Sequence, residues 1–166
     1  MSQVYIIAEV GQNHDGSLGM AHAFVDAIAN SGSDAVKFQC HIADHESSHD
    51  DQFRTSFSRV DRTRFDYWKR MEFTYDQWVG LKAHAEESGL EFLCTPFSIE
   101  AVELLEQLGI NQWKIGSGEI TFLPLLDRIA KTRKPVFVST GLSTSNEINE
   151  AIKIFNRYGN KVTIFQ

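Results

Sequence analysis

A chain of 166 residues, 42% hydrophobic and 23% charged, is long enough to bury a substantial core, which excludes disordered and collagen-like classes. Its formal net charge of −6, with the basic residues scattered, argues against a nucleic-acid surface, although a local pocket could still take an anion. No apolar run approaches the roughly 20 residues that cross a bilayer, and no low-complexity segment or short-period repeat is present. The opening Met1-Ser2-Gln3-Val4 carries no basic region or cleavage pattern, so a cytoplasmic location is expected. Cys40 and Cys94 lie singly at strand ends without CxxC spacing, which fits a reducing compartment and reads as small apolar filler.

The run Val4 to Val10 is apolar except at Glu9 and predicts a first strand, after which Gly11 to Gly16 turns the chain. A helix is expected from about Ser17 to Asn30, with Leu18, Ala21, Val25, Ile28 and Ala29 forming its buried stripe, and a second strand over Asp34 to Gln39. A long polar stretch follows. Thr74-x-x-Gln77 then has the form of a capping box for a helix carrying Trp78, Leu81 and Ala85. Next come a strand at Leu90 to Cys94, a helix from about Ser98 to Leu108 and a strand at Gln112 to Ile115. Pro124 suits the first turn of the following helix, Pro135 opens the strand Val136 to Ser139, and Thr144-x-x-Glu147 caps a helix with Ile148, Ala151, Ile152 and Phe155. Val162 to Gln166 begins a sixth strand.

Strict β-α alternation implies parallel strands with right-handed crossovers, either as a doubly wound open sheet or as a (β/α)8 TIM-type barrel. Face parity favours the barrel: Val36 and Phe38 share one face, suited to helices, while Ala35, Lys37 and Gln39 share the other, and Glu9 points inward near the rim. A barrel of this kind typically needs about 250 residues. The chain is therefore expected to be a single incomplete barrel domain over residues 1–166, holding the first six strands and five helices.

The predicted strands end on polar clusters, and ligand sites in parallel α/β folds gather at the carboxyl ends of strands. Lys37 and Lys114 lie within apolar strands, where an ammonium must find a partner or a ligand. One reading is an ion pair with Glu9 or Glu119. The other is a pair of cations converging on a phosphate or carboxylate, with the hydroxyls of Thr95, Ser117 and Ser139 and nearby glycine amides completing an anion cradle. Glu9 and Glu119, at strand ends, are candidate acids, bases or hydroxyl-orienting groups. His14, beside Asn13 in the first strand-to-helix turn, reads either as a substrate contact or as a turn residue.

His41, His45 and His49 recur four residues apart near Asp44, Asp50 and Asp51, a spacing that suggests metal ligation. The segment lacks apolar periodicity, so a mobile lid or loop with solvated polar residues is the expectation. Tyr67-Trp68-Lys69-Arg70-Met71-Glu72-Phe73 is read as part of that lid, packing at the barrel mouth or contributing to substrate specificity.

Taken together, Ile7-Ala8-Glu9-Val10-Gly11-Gln12-Asn13-His14-Asp15-Gly16, Asp34-Ala35-Val36-Lys37-Phe38-Gln39, Thr95-Pro96-Phe97-Ser98, Lys114-Ile115-Gly116-Ser117-Gly118-Glu119 and Ser139-Thr140-Gly141 resemble the sialic acid synthase (N-acetylneuraminate synthase) family over essentially the whole chain. The resemblance implies a (β/α)8 barrel that condenses phosphoenolpyruvate with an N-acylated hexosamine such as N-acetylmannosamine, giving a nine-carbon 2-keto sugar acid and phosphate. It implies that Lys37, Thr95, Lys114, Ser117 and Ser139 hold phosphoenolpyruvate with Gln39 adjacent, and that Glu9 and Glu119 serve the sugar hydroxyls and proton movements. It also implies a divalent ion, Mn2+ or Mg2+, that polarises the open-chain aldehyde, and a homodimer in the complete protein.

At the strand-six position where well-known bacterial members carry a metal-ligating histidine, this chain has Gln166, as some other members do. A second metal histidine and the small C-terminal domain of such enzymes would lie after it. Legionaminic or pseudaminic acid synthesis is the sister reading, and a catalytically silent fragment that acts only in binding is the reading from another class.

Overall fold

A computed structural model describes residues 4–166. Among the described residues there are six strands as expected and seven α-helices, two more than the expected five because α2 and α3 lie between β2 and α4: β1 (Ile7–Gly11), α1 (Leu18–Ala29), β2 (Ala35–Cys40), α2 (Ala43–Glu46), α3 (Arg64–Met71), α4 (Tyr75–Glu87), β3 (Glu91–Pro96), α5 (Ile99–Gln107), β4 (Trp113–Ile115), α6 (Leu123–Ala130), β5 (Val136–Ser139), α7 (Ser145–Tyr158) and β6 (Val162–Phe165). The strands form two sheets of three, ordered β1-β2-β3 and β4-β5-β6. The chain divides into two compact units, one ending at Leu93 and one spanning Cys94–Gln166. Among the described residues no helix is long and apolar enough to cross a membrane.

In the first unit β1 pairs parallel to β2, with Ile7 opposite Ala35 and Glu9 opposite Lys37. The first strand starts at Ile7 rather than Val4, while Ile6 before it accepts from the Asp34 and Ala35 amides and donates to the Asp34 carboxylate. The start of the expected strand-one entry, residues 1–3, lies outside the described residues. Phe38 stacks on Phe92 (5.8 Å) and meets Trp78 of α4 edge-on (6.2 Å), which confirms that the Val36–Phe38 face looks toward helices. Phe38 and Trp78 are both under 3% exposed, and burying such side chains contributes roughly 1.5–3 kcal/mol each.

The polar stretch after β2 departs from the expected loop, since it carries α2 and α3. Helix α3 begins at a capping box in which Thr63 accepts from the Asp66 amide and the Asp66 carboxylate accepts from the Thr63 amide. Capping is joined by ion pairs of Lys69 with Asp44 and Glu72 and of Arg70 with Asp61, and by a short apolar set in which Phe65 packs on His49, Trp68 on His41 and Met71 is buried.

In the second unit β4, β5 and β6 are parallel, with Lys114 opposite Phe137 and Ser139 opposite Phe165. Trp113, Ile115, Val136 and Val138 alternate with these residues and are buried on the helix-facing side. Helix α7 has the expected Thr144–Glu147 capping box and ends on Gly159 in the left-handed conformation (φ 75°). Pro124 lies in the first turn of α6.

Candidate functional site

In the first unit the carboxyl end of β1 is irregular. The register slips between Glu9 and Gly11, so that Glu9 faces Lys37 and Gly11 faces Phe38. Such a bulge needs a residue tolerant of positive φ, and Gly11 has φ 55°. A Cβ there would lie 3.2 Å from Glu9 Oε1 and 3.8 Å from Gln39 Nε2, so the glycine leaves room for the carboxylate and carboxamide to approach. In-register parallel neighbours project to one face, and Glu9 forms an ion pair with Lys37, as one of the two sequence readings expects. The lysine side chain is 9% exposed and the glutamate 45%, so the cation is the buried member and its partner looks outward.

Beyond the bulge, Asn13, Asp15 and Ser17 close successive turns through backbone bonds to Val10, Gln12 and His14. Asn13 is exposed. His14 is 1% exposed, its ring centroid 4.7 Å from that of Phe73, and its Nδ1 accepts the Gly16 amide hydrogen at 3.1 Å. Burial pulls its pKa down to about 4, so near neutral pH the ring is uncharged and Nε2 carries the proton. Gln12 donates through Nε2 to Gln39 Oε1 (3.2 Å), which also faces His41 Nε2 at 3.3 Å. His41 donates through Nδ1 to the Glu46 carboxylate (2.8 Å), and its ring lies flat on Trp68 at 3.8 Å. His41 is thus built into a packed network, while His49 packs against Phe65.

In the second unit Lys114, 6% exposed, donates to Ser139 Oγ (2.5 Å) and to the carbonyl of Ile115 (2.8 Å), and its Nζ stands 5.7 Å from the centre of the Phe165 ring. The ammonium is therefore aimed at the carboxyl ends of β4 and β5. Thr95 at the end of β3 is 2% exposed. The loop after β4 becomes a 3-10 turn, Ser117–Glu119, with Ser117 half-buried. A Cβ on Gly116 would touch Thr95 Cγ2 and Phe97 Cε1 at 3.9 Å and Glu119 Cγ at 4.0 Å, so Thr95 and Glu119 approach one backbone segment.

The structure thus joins Glu9, Lys37 and Gln39 in the first unit, Lys114 with Ser139 in the second, and Thr95 with Glu119 around Gly116. Two contributors were not singled out in the sequence. Gln12 gives no signal beyond its place in the first turn. Arg70 sits 55 residues from Asp15, to which it donates twice, and no local pattern marks that contact.

Among the described residues no three His, Cys, Asp or Glu side chains converge to hold a metal ion. Gln166 supplies a neutral amide oxygen in place of an imidazole. The described residues do not fit a resident divalent ion, and no step below is routed through one.

Residues 24–166 match the model of the NeuB family. The chain belongs to that family. It is 36% identical over 164 residues to the N,N'-diacetyllegionaminic acid synthase of Campylobacter jejuni, covering 97% of this chain and 49% of that protein. It is 31% identical over 152 residues to the human N-acetylneuraminate-9-phosphate synthase, covering 90% and 42% respectively. Among solved structures, the N-acetylneuraminic acid synthetase of Leptospira borgpetersenii, determined with citrate, superposes with a TM-score of 0.83 at 27% identity over 98% of this chain and 53% of that one. The α/β class read from the sequence, a TIM-type barrel present in part, agrees with that match. The chain spans about half the length of the relatives it matches.

Proposed function

We propose that this NeuB-family chain is the phosphoenolpyruvate- and sugar-handling part of a synthase that condenses phosphoenolpyruvate with an N-acylated hexosamine of the N-acetylmannosamine type. The products are a nine-carbon 2-keto sugar acid and phosphate. One observation carries this reading: two lysines, 7% and 6% exposed, each lie on a strand of a parallel sheet, one in each unit, and those strands' carboxyl ends bear hydroxyl, carboxamide and carboxylate groups. Lys37 already has Glu9 as counter-charge, and the ammonium and hydroxyl donors gathered at these strand ends suit phosphoenolpyruvate, which carries anionic groups at both ends.

In this reading Lys37, Thr95, Lys114, Ser117 and Ser139 bind phosphoenolpyruvate. Lys114 is oriented before any ligand arrives, because Ser139 and the Ile115 carbonyl hold its Nζ, and an ammonium fixed in advance stabilises developing charge without reorganising. Carbon 3 of phosphoenolpyruvate attacks the aldehyde carbon of the open-chain sugar, and the aldehyde oxygen takes a proton. Water adds at C2, and phosphate leaves as the C–O bond breaks and the ketone forms. Glu9 and Glu119 orient the sugar hydroxyls and carry the protons. Gln39, Asn13 and His14 complete the substrate contacts. The Mn2+ or Mg2+ implied by the family resemblance has no ligand set among the described residues.

A diacetamido sugar is the second reading, favoured by the 36% identity to the legionaminic acid synthase against 31% to the N-acetylneuraminate-9-phosphate synthase.

The test is phosphate release from phosphoenolpyruvate with N-acetylmannosamine and manganese, compared for the native chain, Lys114→Ala and Glu119→Ala. Acceptor-dependent release that falls sharply in both variants is expected. Release that is unchanged in the variants overturns the proposal.

A further inference from the structure

At the carboxyl end of β2 stands a buried histidine that the reaction above does not use. His41, 5% exposed, follows directly on the last residue of the strand, two positions beyond Gln39. Its ring is held by edge and by face. Nδ1 meets both oxygens of the Glu46 carboxylate (3.0 and 2.8 Å), and Trp68 lies on the ring at 3.8 Å with 7° between the planes, so the imidazole cannot turn without losing both contacts. Nε2 is thereby aimed at Gln39 Oε1, 3.3 Å away. A ring nitrogen that faces an oxygen bonds to it only as an N–H donor.

Gln39 Oε1 also accepts from Gln12 Nε2 (3.2 Å), so two donors converge on one end of the carboxamide and its nitrogen is turned the other way. That nitrogen lies 3.8 Å from the point a Cβ on Gly11 would occupy, and Glu9 Oε1 lies 3.2 Å from the same point. An amide donor and a carboxylate acceptor thus border one spot. A hydroxyl, which gives and takes a hydrogen bond through a single oxygen, suits that pair. The two ends of a carboxamide are nearly equal in size, so packing alone does not choose between them, and a reversed Gln39 would set two acceptors side by side. Gln12 can follow such a reversal by presenting its own carboxamide oxygen, whereas the clamped ring keeps the same N–H in place.

We propose that His41, anchored by Glu46 and Trp68, is the positioning residue that fixes the direction of the Gln39 carboxamide and keeps its nitrogen beside Glu9. The inference rests on the condensation reading above for the contact of Gln39 with the sugar. His41 acts through Gln39 and touches no substrate.

The side-chain amide resonances of 15N-glutamine-labelled protein read the carboxamide directly, Gln39 being assigned by its loss in Gln39→Glu. His41→Leu, which keeps the bulk and removes the donor, should move the Gln39 amide toward the resonances of exposed glutamines. His41→Gln, which keeps an N–H donor, should restore it. Affinity for N-acetylmannosamine, measured by calorimetry, should fall about 5-fold or more in His41→Leu, the loss of one modest hydrogen bond, and recover in His41→Gln. Phosphoenolpyruvate affinity should be unchanged in both. Where His41→Leu does not fold, Glu46→Leu, which keeps the ring and removes its anchor, should displace the Gln39 amide in the same way.

A Gln39 amide that stays in place in His41→Leu or Glu46→Leu, or one that His41→Gln does not restore, overturns the positioning role, even where phosphate release proceeds. A displaced amide with unaltered sugar affinity overturns Gln39 as a substrate contact in the condensation reading and leaves the hold of His41 on Gln39 standing.

Discussion

A Cβ on Gly16 would lie 2.3 Å from the carbonyl oxygen of Arg70, because the end of α3 is drawn against the turn that follows β1. The Arg70 guanidinium holds that approach by donating to the Asp15 carbonyl (2.9 Å) and carboxylate (2.6 Å) and bidentately to Asp61. His14 lies next to the clamped residue and bonds to the amide of Gly16, so a helix read as loop from the sequence positions a candidate substrate contact.

Gly16→Ala is expected to be far more costly than Gly32→Ala. Both glycines have positive φ, 78° and 82°, but a Cβ on Gly32 meets nothing within 4 Å. The left-handed conformation alone should cost Gly32→Ala about 1–2 kcal/mol. Gly16→Ala must also displace backbone and should lose about 3 kcal/mol or more. Urea unfolding midpoints of the two variants give the comparison, and equal losses would contradict the close approach.

Arg70→Ala should destabilise the chain by about 1–3 kcal/mol, with partial recovery in Arg70→Lys, which keeps the charge and loses the fork. The guanidinium holds the Asp61 carboxyl below its usual range. A carboxylate with a depressed folded pKa stabilises the fold above its unfolded pKa and loses that contribution as pH falls through the folded value. The acid limb of stability against pH, measured by denaturant unfolding, should therefore be shallower in Arg70→Ala below about pH 4.

His14 predicts a separate pH dependence. Its folded pKa is depressed from 6.5 to about 4, so the unfolded chain binds a proton at pH values where the native chain does not. Stability should be unaffected by this group above pH 6.5 and should decline as pH falls from 6.5 toward 4, by about 3 kcal/mol at most. His14→Gln should remove that slope. An unchanged profile between pH 7 and 5 in the variant would show that the ring is not held neutral.

Lys114→Met should leave the fold intact or slightly more stable, because replacing a buried charge by an apolar chain of similar length removes a desolvation cost. Phosphoenolpyruvate affinity, measured by calorimetry, should drop by about 100-fold, the loss of one charge-assisted contact of roughly 3 kcal/mol. An unaltered affinity would take Lys114 out of the anion site.

Periodicity and capping were enough to read the elements that depend on neighbours in the chain. Thr74 with Gln77 and Thr144 with Glu147 form the expected capping boxes, Pro124 sits in the first turn of its helix, and the fifth strand spans Val136–Ser139 as expected. Alternation within β2 also showed that Lys37 and Gln39 share a face opposite Phe38, since side-chain direction along a strand has a period of two whatever the strand packs against. Tertiary structure alone decided which partner each polar group met. Lys37 meets Glu9 because the parallel register of β1 and β2 sets them opposite one another, Arg70 reaches Asp15 across 55 residues, and the Gln12 and His14 atoms without partners become visible only once every neighbour is in place. Hydrogen bonds and ion pairs between distant segments leave no periodic trace, because each depends on a single pair of side chains and on the register that brings them together.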